Sequence, residues 1–346
     1  MKDVLIEDFK QITERNIPWN ELRDKTFLIT GATGLVGSLL VKCLLYANQM
    51  MNLNAKIYAV VRNTDKADRI FAEEKAEALS YIVADLATEK INCEDECDYI
   101  IHAAAVTASK VMVSDPVGTI RTAIDGTEKM LQLAVEKKVK SFIYISSMEI
   151  YGQPRNEGKT AEKDLGYVDI ETVRSCYPEG KRMCECMCTA YAAQYGVNVI
   201  SARLAQTFGA GILPTENRVF AQFARSAVKG ENIVLHTTGE SEGNYVYTAD
   251  AIAAILTLLV KGAAGEAYNI ANEESHITIR DMAELVAKEI AGGRIEAVID
   301  IPEDSASLGY APPVKMWLDA SKMCALGWKP EVGLVDAYKR MIRWME

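Results

Sequence analysis

Tyr177 and Lys181 are spaced for proton transfer. Residues four apart lie on one face of a helix, and of the 15 tyrosines in the chain only Tyr177 has a lysine at that distance. A phenol has a pKa of about 10, so a tyrosine that acts as a base at neutral pH needs a neighbouring cation to stabilise its anion. Lys181 supplies that charge. The spacing indicates a tyrosine base assisted by a lysine, and the alternative is an ordinary pair on a helix surface.

Ser147 follows a short apolar segment, Ser141 to Ser146, which has the composition of a buried strand. Sites in α/β proteins lie at the carboxyl edge of the sheet. We therefore expect the Ser147 hydroxyl to bind the substrate oxygen that Tyr177 deprotonates.

A glycine-rich turn separates a predicted strand, Thr26 to Thr30, from a predicted helix, Val36 to Asn48. Glycines allow a tight turn and let a pyrophosphate approach the first N–H groups of the helix, where the helix dipole also favours an anion. The spacing is GxxGxxG rather than GxGxxG, but the position between strand and helix is the one that dinucleotide binding requires. The turn therefore predicts a dinucleotide site, against a merely structural turn. Its residues are Gly31, Thr33, Gly34, Leu35, Val36 and Gly37.

The residues that end the second and third predicted strands bear on the choice of cofactor. Arg62 follows the second strand, Lys56 to Val61. An acidic residue there would bind the ribose of NAD, whereas an arginine pairs with the 2′-phosphate of NADP, so both NAD and NADP stay open. Asp85 and Leu86 follow the third strand, Ser80 to Val83. Asp85 is expected to hydrogen-bond the adenine, and the alternative is a turn aspartate.

Short apolar segments alternate with helical ones along most of the chain. Further strands are predicted at Tyr99 to Ala103, Val197 to Leu204 and Glu266 to Ile270, and further helices at Thr119 to Lys138, Tyr177 to Gln194, Arg218 to Lys229, Ile279 to Ile290 and Leu334 to Trp344. An N-terminal helix is predicted from the spacing of Val4, Leu5, Phe9 and Ile12. The alternation predicts an α/β fold with a doubly wound parallel sheet of the Rossmann type.

The same pattern divides the chain into parts. Residues 1–23 are expected to form a helical extension and residues 24–205 a dinucleotide-binding domain. Residues 206–346 are expected to form mainly a smaller C-terminal substrate-binding lobe, with residues 244–275 returning to the first domain. A proline-rich segment at 302–313 precedes the last helix. The cleft between the two bodies is the expected binding site.

Composition excludes several classes of protein. The 346 residues have a formal net charge of −10, which disfavours general nucleic-acid binding. The longest apolar stretch, Ile252 to Val260, is too short for a membrane span, and the N-terminus has no signal-peptide pattern. We therefore expect a cytoplasmic protein that binds neither nucleic acid nor a membrane, with its eight cysteines reduced.

No metal site is expected. In a helix Cys186 points about 200° away from Cys184 and Cys188, so the three thiols cannot converge on one ion. His102 ends a predicted core strand and is expected to be structural.

As a set, these motifs resemble the extended short-chain dehydrogenase/reductase family of NAD-dependent epimerases and dehydratases. The matching motifs are the glycine turn, Asp85-Leu86, Ile101-His102-Ala103-Ala104-Ala105, Ser147 to Gly152, Tyr177 to Lys181 and Arg203 to Gly209. The resemblance implies that Ala103, Ala104 and Ala105 border the cofactor and that Lys181 also holds its ribose. It further implies a nucleotide-sugar substrate and a homodimer formed through a helix bundle.

The segment 174–182, Arg-Ser-Cys-Tyr-Pro-Glu-Gly-Lys-Arg, is similar to the UDP-glucuronate decarboxylase branch of that family. This resemblance implies that Gln206 contacts the substrate, that Arg218 lies where the nucleotide binds, and that Glu149 sits beside the sugar as a catalytic residue. Met148 stands where the 4,6-dehydratases have an acid that protonates the leaving hydroxyl, so dehydration is disfavoured.

Two positions depart from the branch pattern. Gly243 replaces an arginine seven residues before Asp250, and Ala123 replaces an asparagine. The resemblance therefore implies transient oxidation at C4 of a nucleotide sugar and leaves the outcome open between a decarboxylase, a 4-epimerase and a 4-keto-sugar reductase. The alternative from another class is a catalytically idle dinucleotide-binding regulator.

Overall fold

The computed structural model describes residues 1–74, 77–93, 95–155, 158–302 and 314–346. Its strands are β1 (Thr26–Thr30), β2 (Lys56–Val61), β3 (Leu79–Val83), β4 (Tyr99–His102), β5 (Ser141–Ser147), β6 (Val199–Leu204), β7 (Gln206–Phe208), β8 (Ile233–Leu235), β9 (Glu242–Tyr247), β10 (Ala267–Ile270), β11 (Asn272–Thr278) and β12 (Ala297–Ile299).

Twelve helices are found in the described parts of the chain. They are α1 (Asp3–Glu14), α2 (Trp19–Leu22), α3 (Leu35–Met51), α4 (Thr64–Ile70), α5 (Ser109–Ser114), α6 (Pro116–Lys137), α7 (Cys176–Tyr195), α8 (Val219–Lys229), α9 (Thr248–Lys261), α10 (Ile279–Leu285), α11 (Ser321–Cys324) and α12 (Leu334–Met345). Within the described residues, none of these helices is long and apolar enough to cross a membrane.

A parallel sheet of seven strands forms the centre of the molecule, in the order β10-β6-β5-β4-β1-β2-β3. The strand order reverses direction at β1 and β4, and α/β proteins bind ligands at such a switch point. The predicted doubly wound α/β fold is confirmed. Strands β1 and β2 have the predicted bounds, and the other predicted strands begin or end within two residues of the prediction.

Both faces of the sheet are buried, which explains why its strands are continuously apolar. On β1, Phe27 and Ile29 pack into a core that includes α3 and α9, whereas Leu28 packs into the opposite core with α6 and α7. Alternate side chains of the strand therefore pack into opposite cores. Two layers of helices cover the sheet, and together they fix the carboxyl ends of its strands.

The C-terminal part contains short strands that the sequence pattern did not predict. Strands β7, β9 and β11 form a three-stranded sheet, and β8 pairs with β12. The predicted helix over 279–290 is α10 followed by one turn of π-helix at Val286–Ile290. Between these elements, α9 and β10 return to the large sheet. The division into domains at residues 24, 206 and 244–275 stays a prediction. Most of the proline-rich segment predicted at 302–313 lies outside the described residues.

The N-terminal helix α1 packs against α3, α9 and α12. Its residue Asp8 is 2% exposed and accepts hydrogen bonds from the Tyr247 hydroxyl at 2.6 Å and from Arg340 Nη1 at 2.6 Å. Two turns further on, just past the end of α1, Arg15 pairs with the buried Asp250 at 2.6 Å. The N-terminal extension is thus fixed to the C-terminal helix and to the end of β9 by buried charges.

Removal of the Asp8 carboxylate should destabilise the fold. Asp8→Ala leaves the buried Tyr247 hydroxyl without its acceptor and leaves Arg340 with the Gln11 amide oxygen in place of a carboxylate, and we expect it to lower the free energy of unfolding by about 2 kcal/mol or more. Urea unfolding measures this loss. Glu7→Ala is the matched control, because the Glu7–Arg343 pair is exposed and should contribute less than about 1 kcal/mol. Equal effects of the two variants would contradict the role of Asp8.

Candidate active site

The glycine turn is formed by close backbone contacts. Gly31 has a φ of +64°, and a Cβ at this position would lie 2.7 Å from the backbone of Ala103 and Ala104. A Cβ on Gly37 would lie 2.3 Å from the Gly31 carbonyl oxygen. Glycine is therefore required at both positions. A side chain on Gly31 would push the turn away from the residues that follow β4, and one on Gly37 would push the first turn of α3 away from Gly31.

The N-terminus of α3 is suited to an anion. Gly34 precedes the helix, and no side chain caps its first turn, so the first N–H groups have no partner within the helix. Thr33, Leu35 and Val36 are all partly accessible at this turn. The uncapped amides, the helix dipole and the close glycine packing fit the pyrophosphate of a dinucleotide.

The other predicted cofactor residues surround the same edge of the sheet. Arg62 is exposed just after β2. The Asp85 carboxylate accepts a hydrogen bond from the N–H of Ala87 at 2.9 Å. One oxygen thus stabilises a turn, as in the alternative interpretation of Asp85, and the second oxygen can still bind a ligand. Leu86 is buried beneath it, against Gly126 of α6.

His102 supports this edge without facing it. Its Nδ1 lies 2.7 Å from the Thr30 hydroxyl oxygen, which accepts from the N–H of Ala104, and its Nε2 lies 3.2 Å from the Thr127 hydroxyl oxygen. Burial, together with the charge of Lys181, lowers the pKa of His102 to about 3. The neutral ring therefore joins β1, β4 and α6 and positions Ala103, Ala104 and Ala105 at the end of β4, in agreement with the structural role expected for it.

Lys181 is held in place by a hydrogen bond to β5 of the sheet. Its Nζ donates a hydrogen bond to the Ile145 carbonyl oxygen at 2.7 Å and lies 4.6 Å from the ring centroid of Tyr144 and 5.9 Å from that of Tyr177. Burial lowers the pKa of Lys181 to about 8. The structure therefore brings Tyr177 and Lys181 together on α7, as the spacing predicted, and it shows that β5 holds the lysine.

Tyr177 meets the end of β5. Burial raises the pKa of Tyr177 to about 12, and the negative charge of Glu149 acts in the same direction, whereas a hydrogen bond with Ser147 opposes them. The Ser147 hydroxyl also accepts from the N–H of Glu149 at 3.2 Å. Ser147, Glu149 and Tyr177 therefore lie together at the carboxyl edge of the sheet.

Arg174 belongs to the same group of side chains, although the sequence analysis gave it no role. Its Nη2 lies 3.0 Å and 2.8 Å from the two carboxylate oxygens of Glu149, and its guanidinium carbon lies 5.6 Å from the ring centroid of Tyr177. The sequence shows that Arg174 lies three residues before Tyr177. That spacing predicts proximity to Tyr177 but does not reveal that Glu149, on another element, is its ion-pair partner.

Arg218 lies close enough to this group for its charge to act on Tyr177. It precedes α8, pairs with Glu216 at 2.7 Å and contributes to lowering the pKa of Tyr177. Gln206 begins β7 and is paired with Tyr245 of β9. The two predicted substrate residues thus come from the C-terminal part of the chain, which faces the end of β5.

Met148 and Gly243, two positions at which the sequence lacks an expected charge, are neighbours in space. A Cβ on Gly243 would lie 3.8 Å from Met148 Cε and 3.9 Å from the Met316 carbonyl oxygen, which is ordinary van der Waals contact. The backbone therefore does not require glycine here. At these two positions the chain carries no charge, whereas Glu149, next to Met148, is paired with Arg174.

The helix α7 separates its cysteines as its geometry predicts. Cys184 and Cys188 are buried, and Cys186 is exposed. The Cys184 thiol donates to the Ala123 carbonyl oxygen at 3.2 Å and accepts from the Thr127 hydroxyl at 3.3 Å. These thiols pack α7 against α6.

The sheet order and the glycine turn define the class of the protein, a Rossmann-type α/β protein. A family model described as the NAD dependent epimerase/dehydratase family matches residues 27–271. The chain belongs to this family, and it is an enzyme of that class. The resemblance found in the sequence motifs is thereby confirmed.

Individual relatives agree with this assignment. The chain is 28% identical over 324 residues to UDP-glucuronic acid decarboxylase 1 of Xenopus tropicalis, covering 92% of this chain and 72% of the relative. It is 30% identical over 317 residues to UDP-glucuronic acid decarboxylase 6 of Arabidopsis thaliana, covering 91% and 87%. The crystal structure of a UDP-glucose 4-epimerase from Thermotoga maritima superimposes with a TM-score of 0.75 at 23% identity, covering 92% of this chain and 98% of the other, which shows a common fold.

The glycine turn yields a direct test of the cofactor site. Gly31→Ala places a methyl group 2.7 Å from the Ala103 and Ala104 backbone at a positive φ, and we expect it to weaken NADH binding by more than about tenfold. Fluorescence titration with NADH measures the change. Gly333→Ala is the control, because no atom lies within 4 Å of a Cβ at that position. Unchanged NADH affinity in Gly31→Ala would contradict the predicted site.

Proposed function

We propose that this enzyme oxidises a nucleotide sugar transiently at C4, using NAD or NADP, and that it acts as a decarboxylase on UDP-glucuronate. The observation that supports the chemistry is the grouping of Ser147, Tyr177 and Lys181 at the carboxyl edge of the sheet, beside an uncapped helix N-terminus. Support for the substrate comes from two relatives that are named UDP-glucuronic acid decarboxylases.

In this proposal the chain's residues handle the proton of the C4 hydroxyl. Tyr177 accepts it as its phenolate, and the buried charge of Lys181 stabilises that anion. Ser147 donates a hydrogen bond to the oxygen as it becomes a carbonyl. When bound, the nicotinamide supplies the hydride acceptor and donor. A uronate oxidised at C4 is a β-keto acid, which loses carbon dioxide readily.

Met148 argues against the elimination of water. A methionine thioether cannot protonate a leaving hydroxyl, and Glu149, the acid next to it, is paired with Arg174. A 4,6-dehydratase needs a proton donor at this position. We therefore infer that the 4-keto intermediate is reduced again without dehydration.

The absence of a charged side chain at positions 148 and 243 favours a second candidate function. A neutral sugar does not need a cation at position 243, and rotation of its 4-keto form before reduction gives the 4-epimer. This second candidate is a nucleotide-sugar 4-epimerase, which uses the same Ser147, Tyr177 and Lys181.

Incubation with UDP-, dTDP-, GDP- and CDP-sugars, read by mass spectrometry and chromatography, distinguishes the two functions. We expect UDP-glucuronate to lose the mass of carbon dioxide. Tyr177→Phe should reduce turnover by about a hundredfold or more because it removes the base, while NADH binding persists. An unchanged uronate together with an isomerised neutral sugar would replace the decarboxylase by the epimerase. Full activity of Tyr177→Phe would contradict both.

Arg62 tests the choice between NAD and NADP. The side chain is exposed after β2, where the 2′-position of the adenosine ribose is expected. Arg62→Asp should weaken NADP binding by about tenfold or more, because a carboxylate repels the 2′-phosphate, and it should spare NAD. Calorimetric titration with both nucleotides gives the comparison, with Arg69→Asp on α4 as the matched control. Unchanged NADP affinity in Arg62→Asp would show that Arg62 does not contact the cofactor.

The family resemblance also leads us to propose a homodimer formed through α6 and α7. Apolar side chains are exposed on both helices, among them Val117 and Ile120 of α6 and Met183 of α7. A two-fold pairing of this surface would bury them in a four-helix arrangement.

A further inference from the structure

Arg174 occupies a position between two elements of the site. It lies in a turn of 3-10 helix, Val173–Ser175, immediately before α7. Both oxygens of Glu149, which follows β5, lie within 3.0 Å of its Nη2, while the guanidinium carbon faces the ring of Tyr177 at 5.6 Å. The side chain is 35% exposed. Arg174 thus links the acid after β5 to the phenol on α7.

We propose that Arg174 is a positioning residue that holds the Glu149 carboxylate and offsets its charge, so that the phenolate of Tyr177 can form beside it. This inference rests on the proposed role of Tyr177 as the base. It differs from the role of Lys181, which acts from the interior of the sheet, because Arg174 acts from the substrate side and through Glu149.

The charges around Tyr177 show why the carboxylate needs a partner. The groups that act on Tyr177 come from four elements. They are Lys181 of α7, Arg174 of the preceding turn, Ser147 and Glu149 at the end of β5, and Arg218 at the start of α8. Tyr144 of β5 also interacts with Tyr177. Glu149 raises the pKa of Tyr177, and Arg174 and Arg218 lower it. Without Arg174, the negative charge of Glu149 would act on the phenol without its adjacent counter-charge.

The geometry also explains why an arginine is suited to this task. A guanidinium is planar and delocalised, so it lies over an aromatic ring while its N–H groups bind a carboxylate. A lysine ammonium at the same position would keep the positive charge but would lose the paired geometry. Arg218 does not duplicate this function, since it is bonded to Glu216 and its guanidinium faces Phe220 at 4.9 Å.

The ionisation of Tyr177 can be measured without knowledge of the substrate. In the full-length protein saturated with NAD, the near-ultraviolet absorbance of tyrosinate is followed against pH, and the same titration of Tyr177→Phe is subtracted to isolate Tyr177. The variants are Arg174→Gln, Arg174→Lys, Glu149→Gln and the double variant Arg174→Gln/Glu149→Gln. The control is Arg69→Gln, which removes an exposed guanidinium on α4 that bonds the Asp65 carbonyl oxygen of its own helix.

We expect Arg174→Gln to move the Tyr177 midpoint upward by about one pH unit, Arg174→Lys to move it less, and the double variant to return it towards that of the parent. The acid limb of the pH dependence of kcat/KM should follow once a substrate is known. An unmoved midpoint in Arg174→Gln, an equal shift in Arg69→Gln, or no recovery in the double variant would overturn the proposal. Failure of the substrate assignment would leave this titration unaffected, so the two failures are distinguishable.

Discussion

The bond from Lys181 to the Ile145 carbonyl oxygen is the contact on which the rest of the site depends. Lys181 is 4% exposed, and a buried ammonium is stable only where its N–H groups have hydrogen-bond acceptors and its charge is compensated. Here the sheet supplies the acceptor and the Tyr144 ring supplies a polarisable surface. This bond fixes the rotation of α7 about its axis, so that Tyr177, one turn earlier, faces the end of β5. The proposed proton-transfer group is therefore located by the sheet rather than by a loop.

Positively charged side chains lie at the site although the protein as a whole is negatively charged. The net charge is −10, and an anionic ligand of the proposed kind must be attracted by particular groups. Arg174 and Arg218 are both bonded to glutamates, Glu149 and Glu216. An anionic ligand therefore has to compete with a glutamate for each guanidinium. Only a ligand whose geometry matches the guanidinium, as well as its charge, displaces that glutamate.

The sequence predicted the large sheet well because its evidence is local. Continuous apolar segments such as Lys56 to Val61 can only be buried strands between layers of helices, and a lysine four residues after a tyrosine shares its helix face. The short strands β7 and β8 were not predicted, because three residues contain no measurable period and their pairing is decided by tertiary contacts. The Arg174–Glu149 pair was missed for the same reason, since the two residues lie 25 apart in the chain.

The buried pair between Asp8 and Arg340 has a consequence for how the protein is made. The two residues are separated by 332 positions, so during synthesis α1 leaves the ribosome long before α12 exists. Its apolar face can pack against α3 and later α9 before then, but the carboxylate of Asp8 lacks Arg340 until α12 is made. Contacts of such sequence separation form late because the loop they close is long. The Asp8–Arg340 contact therefore belongs to a late stage of folding, and the carboxylate of Asp8 has to stay solvated by water until α12 arrives.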